Sequence, residues 1–139
     1  MREAWVAPPT PPATAADRAA VEACVRAYYT GWFEGDAERM AGALHPALAK
    51  RSFGQSAERG PEVDETTADE MIAATAAGWG VSRSGDRLEI RIAEIGAGMA
   101  SVVGRSGHYV DYLHLVETPD GWRIINALWR WADGHGPRA

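Results

Sequence analysis

The chain has 139 residues, 46% hydrophobic and 24% charged, with a formal net charge of -5. That is one domain with room for a core and ordinary globular composition, and the acidic balance argues against nucleic acid, which needs a clustered basic face. No stretch approaches the ~20 apolar residues of a membrane span, the start lacks an apolar signal run of ~7–15 residues, and the single cysteine, Cys24, points to a reducing, cytoplasmic setting.

Residues 1–13 are rich in Pro and Ala and read as a flexible arm. Trp5 within it is either exposed by chance or docks on a partner subunit. Thr14 followed by Asp17 forms a capping-box pattern that opens a helix running to about Glu34. Val21, Cys24, Val25, Tyr28 and Trp32 share its apolar stripe, and Glu22 and Arg26 make an i,i+4 pair. Gly35 suits the helix stop and Asp36 the cap of a short second helix near 37–44. Pro46 keeps His45 out of helical geometry. "LAKRSF", residues 48–53, reads as a short strand with Leu48, Lys50 and Ser52 inward and Arg51 outward; a one-residue slip exchanges Lys50 for Arg51.

A polar Gly/Pro-bearing loop follows. Thr67 and Glu70 then open a third helix, with Met71, Ile72, Thr75 and Ala76 inward, ending by Gly78 or Gly80. From there the period becomes two. Leu88, Ile90 and Ile92 alternate with charged residues, and "GAG" at 96–98 turns the chain into "MASVVG", "HYVDYLHLV" and "GWRIINALWRW", the last two joined by "TPDG". In "HYVDYLHLV", Tyr109, Asp111, Leu113 and Leu115 share one face, and His108, Val110, Tyr112 and His114 the other. In the last strand Ile125, Ala127, Trp129 and Trp131 are expected inside, with Trp122, Ile124, Asn126 and Leu128 on the back. Residues 133–139 read as a polar tail. The fold class is α+β: three N-terminal helices on a cone-shaped, curved antiparallel sheet enclosing a pocket, in one domain over 14–132.

"YYTGWFEGDAERMAGALHP" and "DYLHLVETPDGWRIINALW" resemble the nuclear-transport-factor-2-like superfamily, which includes ketosteroid isomerases, scytalone dehydratase, limonene-epoxide hydrolase and polyketide cyclases. "HPALAKRS" and "VDYLHLV" resemble the branch labelled putative lumazine-binding. The resemblance spans roughly residues 15–132. It implies the cone fold, a small-molecule pocket and a dimer through the back of the sheet. Against the ketosteroid isomerases, Tyr28, seven residues before Gly35-Asp36, matches the site tyrosine. Asp111 in Asp111-Tyr112-Leu113-His114-Leu115 matches the site aspartate. The position of the catalytic base falls on Ser52, which cannot take a proton from carbon. In those enzymes a tyrosine and a protonated aspartate donate to a developing oxyanion.

An acid in an apolar cone must be paired, solvated or neutral. Asp111 therefore either converges with Tyr28 on a ligand oxygen or bonds a backbone amide, Lys50 or Arg51. Trp32 and Trp129 wall a flat-ring pocket or pack as core, with Lys50, Ser52, Leu113, Ile125 and Ala127 completing the candidate ligand site. Lys50 is a surface or salt-bridged residue, or a desolvated base or nucleophile. His45 caps carbonyls or transfers protons. No metal or other cofactor is expected: His108 and His114 lie six residues apart on a strand, roughly 20 Å at ~3.3 Å per residue, and phosphate-loop and nucleotide-binding motifs are lacking. Three functions follow: a cofactor-free isomerase, cyclase or dehydratase acting on a hydrophobic ring or polyketide-like substrate, a carrier of an aromatic molecule, or a ligand-free dimerisation module. A homodimer is expected in each case, without nucleic acid or membrane.

Overall fold

In the computed structural model residues 3–85 and 87–136 are described; residues 1–2 of the arm and 137–139 of the tail lie outside them. The first helix, α1, spans Ala15–Glu34. Its capping box is complete: the Thr14 hydroxyl accepts from the Asp17 amide, and the Asp17 carboxylate accepts from the Thr14 amide. Gly35 ends it at φ 67, a left-handed geometry that favours glycine. The Asp36 side chain then accepts from the Arg39 amide and caps α2, Ala37–Ala43. The third helix, α3, covers Ala68–Ala76 and opens on the Thr67–Glu70 box.

The strands are β1 Leu44–Phe53, β2 Val63–Thr66, β3 Glu89–Gly96, β4 Met99–Arg105, β5 Tyr109–Thr118 and β6 Gly121–Trp131. They form one curved sheet in the order β2-β1-β6-β5-β4-β3. The sheet is mixed. All neighbours are antiparallel except β1 and β6, which run parallel. β1 begins four residues before the expected strand and includes Pro46; its register against β6 shifts between Leu44 and Ala49, the kind of irregularity that accommodates a proline. β2 lies inside the segment expected to be loop. Its Val63 is exposed, so the edge strand carries little hydrophobic pattern to betray it.

Helices and the concave face of the sheet close on one core. Val21, Val25, Tyr28, Tyr29 and Phe33 of α1 meet Leu48, Val102, Leu113, Leu115, Ile124 and Ala127 of the sheet. The α1 stripe therefore extends to Tyr29 and Phe33, while Cys24 and Trp32 lie at its margin, partly buried.

Two bulges bend the sheet. Pairing shifts by one residue after Ile92 on β3, and again on β6, where His114 faces Asn126 but Leu115 faces Ile124. The extra residue on β6 is Ile125. A bulge reverses the alternation on one side of itself. Ala127 and Trp129 keep the expected inward phase, but Trp122 and Ile124 also turn inward, at 6% and 0% exposure. Ile125 instead points to the outer face. This corrects the assignment of Ile125 to the interior and of Trp122 and Ile124 to the back. Leu128 does lie on the outer face and is exposed.

The phase at the bulge has a measurable consequence. Ile124→Ala should lose about 2–5 kcal/mol, the usual range for a buried aliphatic cut to alanine. Asn126→Ala, two residues away but exposed, should stay within about 0.5 kcal/mol of wild type. Urea denaturation of both variants decides it, and equal losses would place Ile124 outside the core.

Candidate functional site

Strand register places the candidate residues before any side chain is considered. Ser52 pairs with Trp129, Trp129 with Asp111, and Asp111 with Gly104, so one rung crosses β1, β6, β5 and β4. The neighbouring rung reads Lys50, Ala127, Leu113 and Val102. Both rungs face the concave side, beneath α1. Leu113 and Ala127 are fully packed core residues at the floor.

Two consecutive tyrosines of α1 reach these rungs, and they reach different partners. Successive helical side chains diverge by about 100°, so Tyr28 turns toward β1 and Tyr29 toward β5. The Tyr29 hydroxyl donates to Asp111 Oδ2 at 2.5 Å. Lys50 Nζ donates to the Tyr28 hydroxyl. The two rings meet edge to face, with centroids 5.2 Å apart. Asp111 is therefore held by Tyr29, a residue the sequence comparison did not single out, and Tyr28 is engaged by Lys50. Gly104 makes the first contact possible: a Cβ there would stand 2.5 Å from the Tyr29 hydroxyl.

The site is unusual in its burial. Ser52 and Asp111 are each 2% exposed. Asp111 Oδ1 is, among the described residues, a buried side-chain oxygen with no hydrogen-bond partner. Burial raises the Asp111 carboxyl above its ordinary value, while the Lys50 charge and the Tyr29 hydrogen bond pull it back down. Burial lowers the Lys50 amine, against the opposing pull of Asp111. Both tyrosines are raised well above 10, by burial first and then by Asp111, and stay phenols. Among the described residues no carboxylate lies within ion-pair distance of Lys50. Its company is aromatic: Nζ sits 5.0 Å from the Tyr28 ring centroid and 5.5 Å from that of Trp129.

An aromatic wall continues from there. Trp129 and Trp131 meet at 5.3 Å, and Tyr109 contacts both, at 6.0 and 5.1 Å. Trp32 Nε1 donates to the Tyr109 hydroxyl at 3.2 Å. Lys50, Trp32, Trp129 and Trp131 are only partly buried, so they form the open side of the cluster. Past them, the Arg83 guanidinium lies over Trp131 and donates to the Gly136 carbonyl, tying down residues that follow β6.

The remaining candidates lie elsewhere. Ile125 lines an outer-face cleft of about 400 Å³, with Met99, Ser101, His114, Val116 and Asn126. His45 accepts the Ala47 amide on its Nδ1, at the start of β1 rather than at a helix end. His114 shares the outer face with Asn126, 3.4 Å away. Burial pushes the Cys24 thiol up to about 11, which removes it as a thiolate at neutral pH. Among the described residues no group of three or more His, Cys, Asp or Glu is placed to hold a metal ion, and no helix is long and apolar enough to cross a membrane.

These features define a curved-sheet protein of the nuclear-transport-factor-2-like class, with a polar cluster sunk in its concave face. The model of the family described as "Putative lumazine-binding" matches residues 16–130, and the chain belongs to that family. Among solved structures, an NTF-2-like protein of unknown function from Silicibacter pomeroyi is 16% identical, with a TM-score of 0.67 over 86% of this chain and all of that one. A counterpart from Shewanella baltica is 10% identical, at 0.64 over 89% of this chain and all of its own. A domain with a cystatin-like fold from Nostoc punctiforme is 18% identical, at 0.60, covering 86% and 80%. At such identities the likeness is one of fold. No curated protein matches the sequence.

The carboxyl and the amine carry opposite signs of pH dependence. Because the fold raises Asp111, its protonated form supports the native state; that support is complete below the ordinary value of 3.8 and is lost as pH rises through the raised one. Lowering Lys50 does the reverse: stability is complete above 10.5 and falls as pH drops through the lowered value. Asp111→Asn should therefore gain on wild type as pH rises from 4 toward neutrality, followed by guanidinium denaturation at each pH. A pH-independent difference between the two would show that Asp111 is not raised.

Proposed function

We propose that this chain binds a small, flat, hydrophobic or aromatic molecule against Trp129 and Lys50, and that the cluster beneath performs acid–base chemistry without a cofactor. The observation that carries the reading is Asp111 Oδ1, buried and unpartnered at the base of a partly open aromatic wall. A protein gains nothing in stability from such an oxygen; leaving it unsatisfied costs about 1–3 kcal/mol. A ligand hydroxyl or carbonyl completes it, as acceptor from the protonated acid or donor to the carboxylate. Tyr28, a phenol whose oxygen accepts from Lys50, supplies a further donor. Because Tyr29 already holds Asp111, the acid arrives oriented, which is the condition for electrostatic preorganisation. Ser52 occupies the place of the isomerases' base, so a proton shift must use Asp111 or Lys50 instead. The family description names lumazine, a flat bicycle bearing carbonyls, and it belongs in the first ligand panel. A reducing, cytoplasmic setting goes with the single, partly buried thiol.

Tryptophan fluorescence tests the reading directly. Lumazine, a steroid and a naphthol-type polyketide mimic should include at least one ligand that quenches Trp129 saturably, and Trp129→Phe should remove that response. Asp111→Asn should keep the far-UV circular dichroism and weaken binding by about 1–3 kcal/mol through loss of a buried acid–ligand contact. A silent titration across the whole panel would sink the proposal and leave the dimerisation module in its place.

The outer face favours a homodimer alongside this. Met99, Tyr112 and Leu128 are exposed at 60%, 45% and 51%, and pairing brings Tyr112 beside Leu128. Exposed large apolar side chains gathered on one face favour association there. Sedimentation equilibrium should give a dimer, and Leu128→Glu a monomer with unchanged circular dichroism. A wild-type monomer at micromolar concentration refutes the dimer without touching the ligand site.

A further inference from the structure

The chain has 13 arginines and one lysine. A composition so biased toward arginine leaves Lys50 as the exception, and it stands in the concave cluster. Its Nζ is bonded to the Tyr28 hydroxyl and lies 5.5 Å from the Trp129 ring centroid, with no carboxylate in ion-pair reach among the described residues. An arginine there would remain charged; only lysine can shed its proton and become a nucleophile.

We propose that Lys50 is a covalent site for carbonyl compounds, forming an imine with an aldehyde or unhindered ketone carried on a flat ring. This rests on the concave-face ligand site above and names its substrate class. The neutral amine attacks the carbonyl carbon, and its lone pair becomes the C–N bond as the C=O π pair moves to oxygen. That oxygen takes the Tyr28 hydroxyl proton, and the phenolate recovers one from the nitrogen, giving a neutral carbinolamine. Loss of its hydroxyl with the second nitrogen proton, as one water molecule, leaves the C=N bond. Protonation from solvent converts the imine to an iminium ion.

The surroundings suit each stage. Burial lowers the amine, so the nucleophilic form is populated closer to neutrality. Tyr28 stays a phenol and keeps a proton to give. Since Nζ donates to its oxygen, the hydroxyl hydrogen is free to point at a substrate oxygen. The iminium cation then takes the place of the ammonium beside the Trp129 ring, with Asp111 as the nearby countercharge. The iminium also serves as an electron sink. It acidifies the adjacent C–H, which relaxes the demand for a strong base at Ser52, two residues along the same inward face.

Reductive trapping tests this on the intact wild-type protein. Naphthaldehyde with cyanoborohydride should alkylate Lys50 about tenfold faster than it does a lysine peptide, located by peptide mass spectrometry. The N-terminal amine, the one other primary amine, is the internal control. Tyr28→Phe should slow labelling of Lys50 about tenfold while leaving the N-terminal rate unchanged. Lys50→Arg should remove the Lys50 adduct and leave N-terminal labelling unchanged, while quenching of the wild-type protein by naphthalene carboxamide, which has no reactive carbonyl, reports binding separately. Labelling confined to the N-terminus, or a Lys50 rate equal to the peptide's, overturns the imine proposal. Carboxamide quenching without a Lys50 adduct leaves the binding site standing; loss of quenching with an adduct would count against the binding site alone.

Discussion

Burial of the Asp111 carboxyl on the concave face is the constraint on which the rest of the structure depends. A carboxyl at that depth must be hydrogen-bonded or neutral. Tyr29 supplies one bond from α1, and its ring passes where β4 has a glycine. The height of α1 above the sheet is thus tied to three positions, Tyr29, Asp111 and Gly104, on three different elements. Replacing such a polar group with a well-packed apolar one is often neutral or stabilising. Its presence with one oxygen unanswered is therefore not accounted for by stability alone.

Around that acid the protein has set an amine and two phenols in a wall of tryptophan. Burial drives the Asp111 carboxyl and the Lys50 amine toward their neutral forms, while each favours the charged form of the other. A ligand that changes the charge of one therefore changes the proton affinity of its neighbour. Such mutual control is characteristic of sites that move protons, although structural ion pairs produce it too. The partly buried side, formed by Lys50, Trp32, Trp129 and Trp131, places the amine beside apolar aromatic surface. The curved sheet is a scaffold shared by many activities, so chemistry is set by these side chains and not by the fold.

Much of this was legible in the chain. The two capping boxes, the Gly35–Asp36 hand-over and the turns at 96–98 and 118–121 are local devices, decided within four residues, and each stands where its residues predict. The inward phases of Leu48, Lys50 and Ser52, and of Tyr109, Asp111, Leu113 and Leu115, follow from strand alternation alone. Strand β2 was not legible, because four residues at a sheet edge with exposed alternate positions carry no apolar signature. Nor was the parallel pairing of β1 with β6, which joins segments more than seventy residues apart.

Only the tertiary structure decided which side chains meet on the concave face. Ile125 is apolar and sits in an alternating run, so nothing in its neighbourhood marks it as the bulged residue. The bulge is the register solution that lets Ile124 and Trp122 enter the core while Ala127 and Trp129 remain on the same concave face. Tyr28 and Tyr29 are chemically identical neighbours, and spacing from Gly35-Asp36 pointed to Tyr28. Which of them meets Asp111 depends on the rotation of α1 over the sheet, set by the sum of its packing and by the space at Gly104. The sequence by itself put Asp111 and Tyr28 on inward faces and left Lys50 open between interior and surface. The folded chain decided that Tyr29 holds the acid and Tyr28 the amine, because partner choice over such distances is a property of packing and not of pattern.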